Sequence, residues 1–213
     1  MSSNRGRFIT LEGIEGAGKS TNLAFILSLL EGGGKRVVVT REPGGTPLGD
    51  ELRRILLDPG NSPLCDTTEL LLLFSARCEH VSRVIRPALA SGTWVLCDRF
   101  SDASYAYQGG GRNMGSDRVR SLEEWVGDDV RPDLTVLLDL PVALGMRRIR
   151  ERSRPDRFES ERHEFFERVR VSYLQRAAAE PQRIRVIAAD RELAVVQEQI
   201  RSVIQAQLAL EDP

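Results

Sequence analysis

The segment Gly13, Ile14, Glu15, Gly16, Ala17, Gly18, Lys19, Ser20, Thr21 meets the spacing Gly-x4-Gly-Lys-Ser. Glycines let a backbone turn so that several N–H groups point at one anion, and a helix beginning at the lysine adds partial positive charge. In such a cradle Lys19 reaches the β- and γ-phosphates of a nucleoside triphosphate and the Ser20 hydroxyl holds Mg2+. Among the 30 basic residues only Lys19 and Lys35 are lysine. A compact ammonium suits this point-charge role better than a planar guanidinium, so a lysine at position 19 of an arginine-rich chain is informative.

GTPase switches, ATP-driven motors and small-molecule kinases all use this cradle, so a second site must separate them. No Asn-Lys-x-Asp guanine motif occurs, and 213 residues are few for a motor. A compact kinase needs an acceptor pocket, and two glycine-rich polar stretches offer one: Arg41-Glu42-Pro43-Gly44-Gly45-Thr46, and Asp98 through Arg112. Both are expected as loops. Asp98 closes an apolar strand, the place for a carboxylate that acts on Mg2+ through water; Asp139 competes for that role and Asp98 is preferred. Arg99 and Arg53 can clamp an acceptor phosphate by paired hydrogen bonds. Phe74 and Arg77 share one helix face, where an aromatic beside a donor can hold a base or simply belong to the core. Six arginines between Arg147 and Arg157 read either as a solvated helix end or as a mobile lid over about residues 148–160, with Pro155 marking the interruption.

Strand-length apolar runs alternate with longer helical stretches. Strands are expected at 8–11, 37–40, 94–97, 134–140 and 184–187. Helices are expected at 20–30, 47–57, 67–90, 116–126, after Pro141, at 159–179 and at 192–208. This alternation predicts an α/β chain: a single domain of P-loop NTPase fold, with a five-stranded parallel sheet covered by helices on both faces. Net charge is −1, which argues against nucleic acid or an anionic membrane as partner. No apolar run is long enough to span a membrane. Cys65, Cys78 and Cys97 form no Cys-x-x-Cys pair, which fits reducing cytoplasm with each cysteine an apolar filler. His80 and His163 read as surface or helix-face residues.

Residues 11–21 and 41–46, Asp98-Arg99-Phe100, Ala106 to Arg112 and Arg131-Pro132-Asp133-Leu134-Thr135 together resemble the bacterial thymidylate kinase family, over residue 8 to about 190. The resemblance implies transfer of the ATP γ-phosphate to dTMP, with Mg2+, in dTTP synthesis, by a homodimer associating through long helices such as 67–90. It places ATP phosphates on Gly13 to Thr21, the dTMP phosphate on Arg99 with help from Arg53, and the deoxyribose near Glu42. It further implies Phe74 stacked on thymine, Arg77 bonded to a base carbonyl, and Ser104 and Gln108 reading the base. In many members the aromatic stands four residues before the arginine, a position held here by Leu73. The cradle lacks an arginine and the lid region is rich in them, so Arg150, Arg154 and Arg157 are candidates for a catalytic lid arginine, Arg157 foremost. A kinase for another nucleoside monophosphate or small acceptor remains open, as does a non-enzymatic ATP-binding regulator.

Overall fold

The computed structural model describes residues 5–127, 130–151 and 156–209. Five strands, β1 (Phe8–Glu12), β2 (Val37–Arg41), β3 (Trp94–Asp98), β4 (Leu134–Asp139) and β5 (Ile184–Ala188), form one sheet in the order β2-β3-β1-β4-β5. Every pairing is parallel. The central strands β1, β3 and β4 are buried on both sides because helices cover both faces, while the edge strands β2 and β5 are partly exposed. Phe8, Val95 and Cys97 point into one layer with Val81, Ile85 and Leu89; Ile9, Leu11 and Leu96 point into the other with Ile26, Leu30, Ile200 and Ile204.

The chain leaves β1 toward β2 on one side and leaves β3 toward β4 on the other. Connections therefore diverge between β1 and β3, and such a divergence opens a crevice beyond the carboxyl ends of the strands. Register brings Leu11 and Arg41 level with Asp98, so the segments after β1, β2 and β3 emerge side by side.

Helix α1 (Lys19–Gly32) starts at the lysine of the cradle. Helix α2 (Pro47–Leu57) is capped by Thr46, whose hydroxyl accepts from the Gly49 N–H, with Pro47 in the first turn. The expected helix 67–90 is α3 (Asp66–His80), a π-helical turn (Val81–Ile85) and α4 (Arg86–Ala90) in succession. Beyond them lie α6 (Ser116–Gly127), α7 (Val142–Arg150), α8 (His163–Ala179) and α9 (Leu193–Ala209). Helix α8 thus begins four residues later than the sequence suggested.

The largest departure follows β3. Residues after Asp98 were expected as a loop, yet α5 (Ser101–Ser104) runs directly into a π-helical segment, Tyr105–Gly111. Gly110 and Gly111 serve close packing instead of a loop. A Cβ on Gly111 would lie 2.6 Å from the Phe165 ring of α8. The cysteine expectation is also corrected: Cys97 is buried, but Cys65 and Cys78 are exposed. No helix among the described residues is long and apolar enough to cross a membrane.

Because the Phe165 ring is itself packed edge-on against Phe166 and Tyr107, Gly111→Ala should destabilise the fold by about 2 kcal/mol. Thermal unfolding should then show a midpoint lower by about 4–8 °C.

Candidate active site

One continuous cleft follows the crevice. Glu15, Gly16, Gly18, Lys19, Ser20 and Thr21 line its first part. Glu42, Arg53, Leu73, Arg77, Asp98, Arg99, Phe100, Ser104, Tyr107 and Gln108 line the rest, with Asp156, Phe158 and Glu159 over the top. The side chains of Ile14 and Ala17 are buried in the core, so these two positions, like Gly13, offer backbone alone.

Lys19 Nζ donates to Gly13 O at 3.0 Å and to Ile14 O at 3.1 Å. Arg99 Nη1 donates to the same Gly13 O at 2.9 Å, and Arg99 Nη2 to Glu15 Oε1 at 2.7 Å. The two cations therefore flank one carbonyl. Burial, and then the charge of Arg99, push the Lys19 ammonium down from 10.5 to about 8. Arg53 donates to Pro43 O at 3.0 Å; burial and the guanidinium groups of Arg41 and Arg99 press its pKa down as well. A site where cations oppose one another is a site that favours an anion.

Arg99 has φ +68, a left-handed backbone uncommon for a long side chain. The next peptide is held by Glu12, buried at the end of β1, whose Oε1 accepts from the Phe100 N–H at 2.7 Å. Its Oε2 accepts from the Tyr173 hydroxyl at 2.6 Å, and that hydroxyl takes an Arg99 N–H at 3.3 Å. Glu12, which sequence reading passed over, thus braces the arginine from behind. Burial and then Asp102 raise its carboxyl from 4.5 to about 7, against the opposing pull of Arg99.

The two rival aspartates separate cleanly. Asp139 is engaged by Arg170 at 2.7 and 2.9 Å. Asp98 lines the cleft, and its Oδ1 is buried without a partner. A buried carboxylate oxygen left bare is costly unless a cation or water completes it. With the Ser20 hydroxyl on the same cleft, this donor set fits a hard divalent ion such as Mg2+.

At the far end, Arg77 donates through Nε to Glu42 Oε2 (2.7 Å) and through Nη2 to Ser104 Oγ (2.9 Å) and Phe100 O (3.2 Å). Its Nη1 is buried without a partner. Gln108 Nε2 donates to Glu69 Oε1 at 2.8 Å, which leaves the amide oxygen as an acceptor.

Two expectations are corrected. Phe74 does not line the cleft; it packs with Leu70, Tyr105 and Val119, its ring under Arg77 at 4.5 Å. One residue earlier on α3, Leu73 turns its side chain to the cleft instead. Arg157 does not face the cradle either. It is buried, donates through Nε to Leu56 O at 2.6 Å, and sets Nη2 2.7 Å from Glu69 Oε2. Glu69 also takes Arg112 and Gln108, so Arg157 anchors the later part of the expected lid region on α3. Arg150 ends α7 on an exposed face. Among the described residues of the run, Arg148 meets the cradle, donating to Gly16 O at 3.0 Å; nothing in the spacing had singled it out. Arg154 and Pro155 lie outside the described residues, as does the middle of the expected lid.

A family model described as thymidylate kinase matches residues 11–200. The chain belongs to the thymidylate kinase family. It is 55% identical to the thymidylate kinase of Ectopseudomonas mendocina, over 93% of this chain and 95% of that one. It is 54% identical to that of Vesicomyosocius okutanii subsp. Calyptogena okutanii, over 95% and 98%. The crystal structure of thymidylate kinase from Ehrlichia chaffeensis superposes with a TM-score of 0.76 at 33% identity, covering 94% of this chain and 99% of that one.

Two measurements follow from this geometry. Glu12 has a folded-state pKa above its unfolded value, so the stability it contributes is complete below pH 4.5 and lost as pH rises through about 7. The loss is on the order of 3 kcal/mol. Glu12→Gln keeps an acceptor for the Phe100 N–H and removes the charge, although its amide N–H cannot accept from the Tyr173 hydroxyl as the carboxylate does. Its melting temperature should exceed that of the parent at pH 8, with the gain shrinking toward pH 5. Arg157→Ala should cost about 3 kcal/mol in urea unfolding, because it leaves the buried Glu69 short of a partner. Lost turnover at unchanged stability would instead place Arg157 on the transferring group.

Proposed function

We propose that this chain transfers the γ-phosphoryl group of ATP to the phosphate of dTMP, giving ADP and dTDP, as a step in dTTP synthesis. The observation that carries the reading is the meeting of Lys19 and Arg99 on the Gly13 carbonyl. Two cations, one from the cradle and one from the segment after β3, stand within reach of the same phosphoryl group.

In this reading the backbone N–H groups of residues 13–21 hold the ATP phosphates and Lys19 faces the β- and γ-groups. The anion restores the charge that burial weakens on Lys19. Arg99 and Arg53 hold the phosphate of dTMP and cancel the repulsion between the two nucleotides. Ser20, and Asp98 through water, would hold Mg2+, which would supply positive charge to offset the negative charge of the ATP phosphates. An oxygen of the dTMP phosphate attacks the γ-phosphorus, the bond from that phosphorus to the β–γ bridging oxygen breaks, and ADP leaves. Catalysis is chiefly alignment and stabilisation of charge on the moving group.

The base end supports a keto-pyrimidine. The bare Arg77 Nη1 offers a donor to a carbonyl, and the Gln108 oxygen offers an acceptor to a ring N–H. Cytosine presents an amino group and an unprotonated nitrogen at the corresponding positions, which reverses both requirements. Leu73 and Phe100 supply apolar surface beside them. The pairing of a cytoplasmic enzyme into a homodimer belongs to the same reading: Trp125 on α6 is 83% exposed and Leu71 on the adjacent α3 is 48% exposed, an apolar surface that a second copy would cover.

Lys19→Ala and Arg99→Ala should each lower turnover by about 10³-fold with the circular dichroism spectrum unchanged. ADP formation with ATP, Mg2+ and each monophosphate in turn should be fast with dTMP and slow with dCMP. Equal rates with both would remove the proposed base reading, and no ADP with any monophosphate would remove the kinase.

A further inference from the structure

His80 reads from the sequence as a surface or helix-face residue, yet it is fully buried at the end of α3 and does not line the cleft. Its Nδ1 lies 2.9 Å from Glu42 Oε1 and its Nε2 lies 2.7 Å from Thr40 Oγ1. A carboxylate accepts, so Nδ1 carries the proton, and a neutral ring takes the Thr40 hydroxyl as donor on Nε2. The other Glu42 oxygen accepts from Arg77 Nε. A continuous chain, buried from His80 inward, therefore runs Thr40, His80, Glu42, Arg77, Ser104, from strand β2 to the wall of the acceptor site.

The guanidinium group is planar, so fixing Nε and Nη2 also fixes the direction of Nη1, the atom without a partner. Glu42 fixes Nε, and what orients Glu42 is His80. The turn that carries Glu42 also closes on the ring. Gly45 has φ +78, and a Cβ there would stand 2.6 Å from His80 Cδ2, His80 Nε2 and Thr40 Oγ1. The imidazole is thus gripped by the same turn whose carboxylate it orients.

We propose that His80 is a positioning residue for recognition of the acceptor base: through Glu42 it aims the free N–H of Arg77 at the base carbonyl. The inference rests on the reading of Arg77 given above, and it extends the recognition machinery to a residue that touches no ligand. Phosphate-binding groups are not on the chain, so the effect falls on dTMP and spares ATP.

The test compares steady-state kinetics of His80→Ala, His80→Asn and Arg77→Ala, with folding checked by circular dichroism. His80→Ala should raise KM for dTMP by about 10-fold, the scale of one hydrogen bond to a charged group, with KM for ATP and kcat within about twofold. His80→Asn places an amide N–H near the former Nδ1–H and should recover most of the loss. A folded His80→Ala with unchanged KM for dTMP, an equal rise in KM for ATP, or no recovery in His80→Asn overturns the inference while Arg77→Ala remains impaired. If Arg77→Ala also binds dTMP normally, the base-site reading fails and takes this one with it. Should His80→Ala not fold, Thr40→Val removes the outer link alone. It should raise KM for dTMP by about twofold to threefold, and no change there overturns the proposal.

Discussion

In the proposed transfer, two anionic nucleotides repel each other at the distance where a phosphoryl group can pass between them, and cancelling that repulsion is the task the reading gives this site. The Gly13 carbonyl is where the two cations meet: it accepts from Lys19 at 3.0 Å and from Arg99 at 2.9 Å. Neither cation can be moved independently of the sheet. Lys19 is the first residue of α1, at the end of the turn after β1, and Arg99 is the first residue after β3. The parallel register of β1 and β3 sets the spacing between the two.

Holding like charges together in a buried place requires support from behind, and the structure supplies it in layers. Glu15 and Glu12 stand close to Arg99, the first by direct contact and the second through Tyr173 and the Phe100 peptide. Farther out, Glu69 joins α3, the π-helical segment and the stretch around Arg157 through Gln108, Arg112 and Arg157. Buried carboxylates with several donors rigidify their surroundings, and a partly satisfied one would loosen them. The part of the cleft read as the acceptor side is thus a network of charges, whereas the cradle is mostly backbone.

The sheet, its parallel sense and most helices were legible because strand and helix periods differ and the apolar runs were clean. The cradle was legible because its function demands particular residue types at fixed spacing. The segment from Ser101 to Gly111 was not, since glycines that admit a neighbouring helix look the same in sequence as glycines that make a loop. Phe74 and Leu73 are adjacent on a helix, and a step of about 100° decides which faces the cleft; an aromatic suggests a stacking role without fixing that angle. Arg157 was legible as an arginine in a lid region, but its partner Glu69 lies 88 positions away and no local pattern joins them. His80 was lost for the same reason: its bonds to Thr40 and Glu42 exist only once α3 lies over β2.

Asp98 Oδ1 and Arg77 Nη1 are buried and bare on residues that line the cleft. A chain selected only to stay folded would have hydrocarbon there, since removing a lone buried polar atom relieves its desolvation. Their retention means that the unliganded molecule sits below the thermal ceiling its own core could support. Ligands that pair these two atoms return the deficit, so resistance to heat becomes a property of the loaded complex more than of the polypeptide.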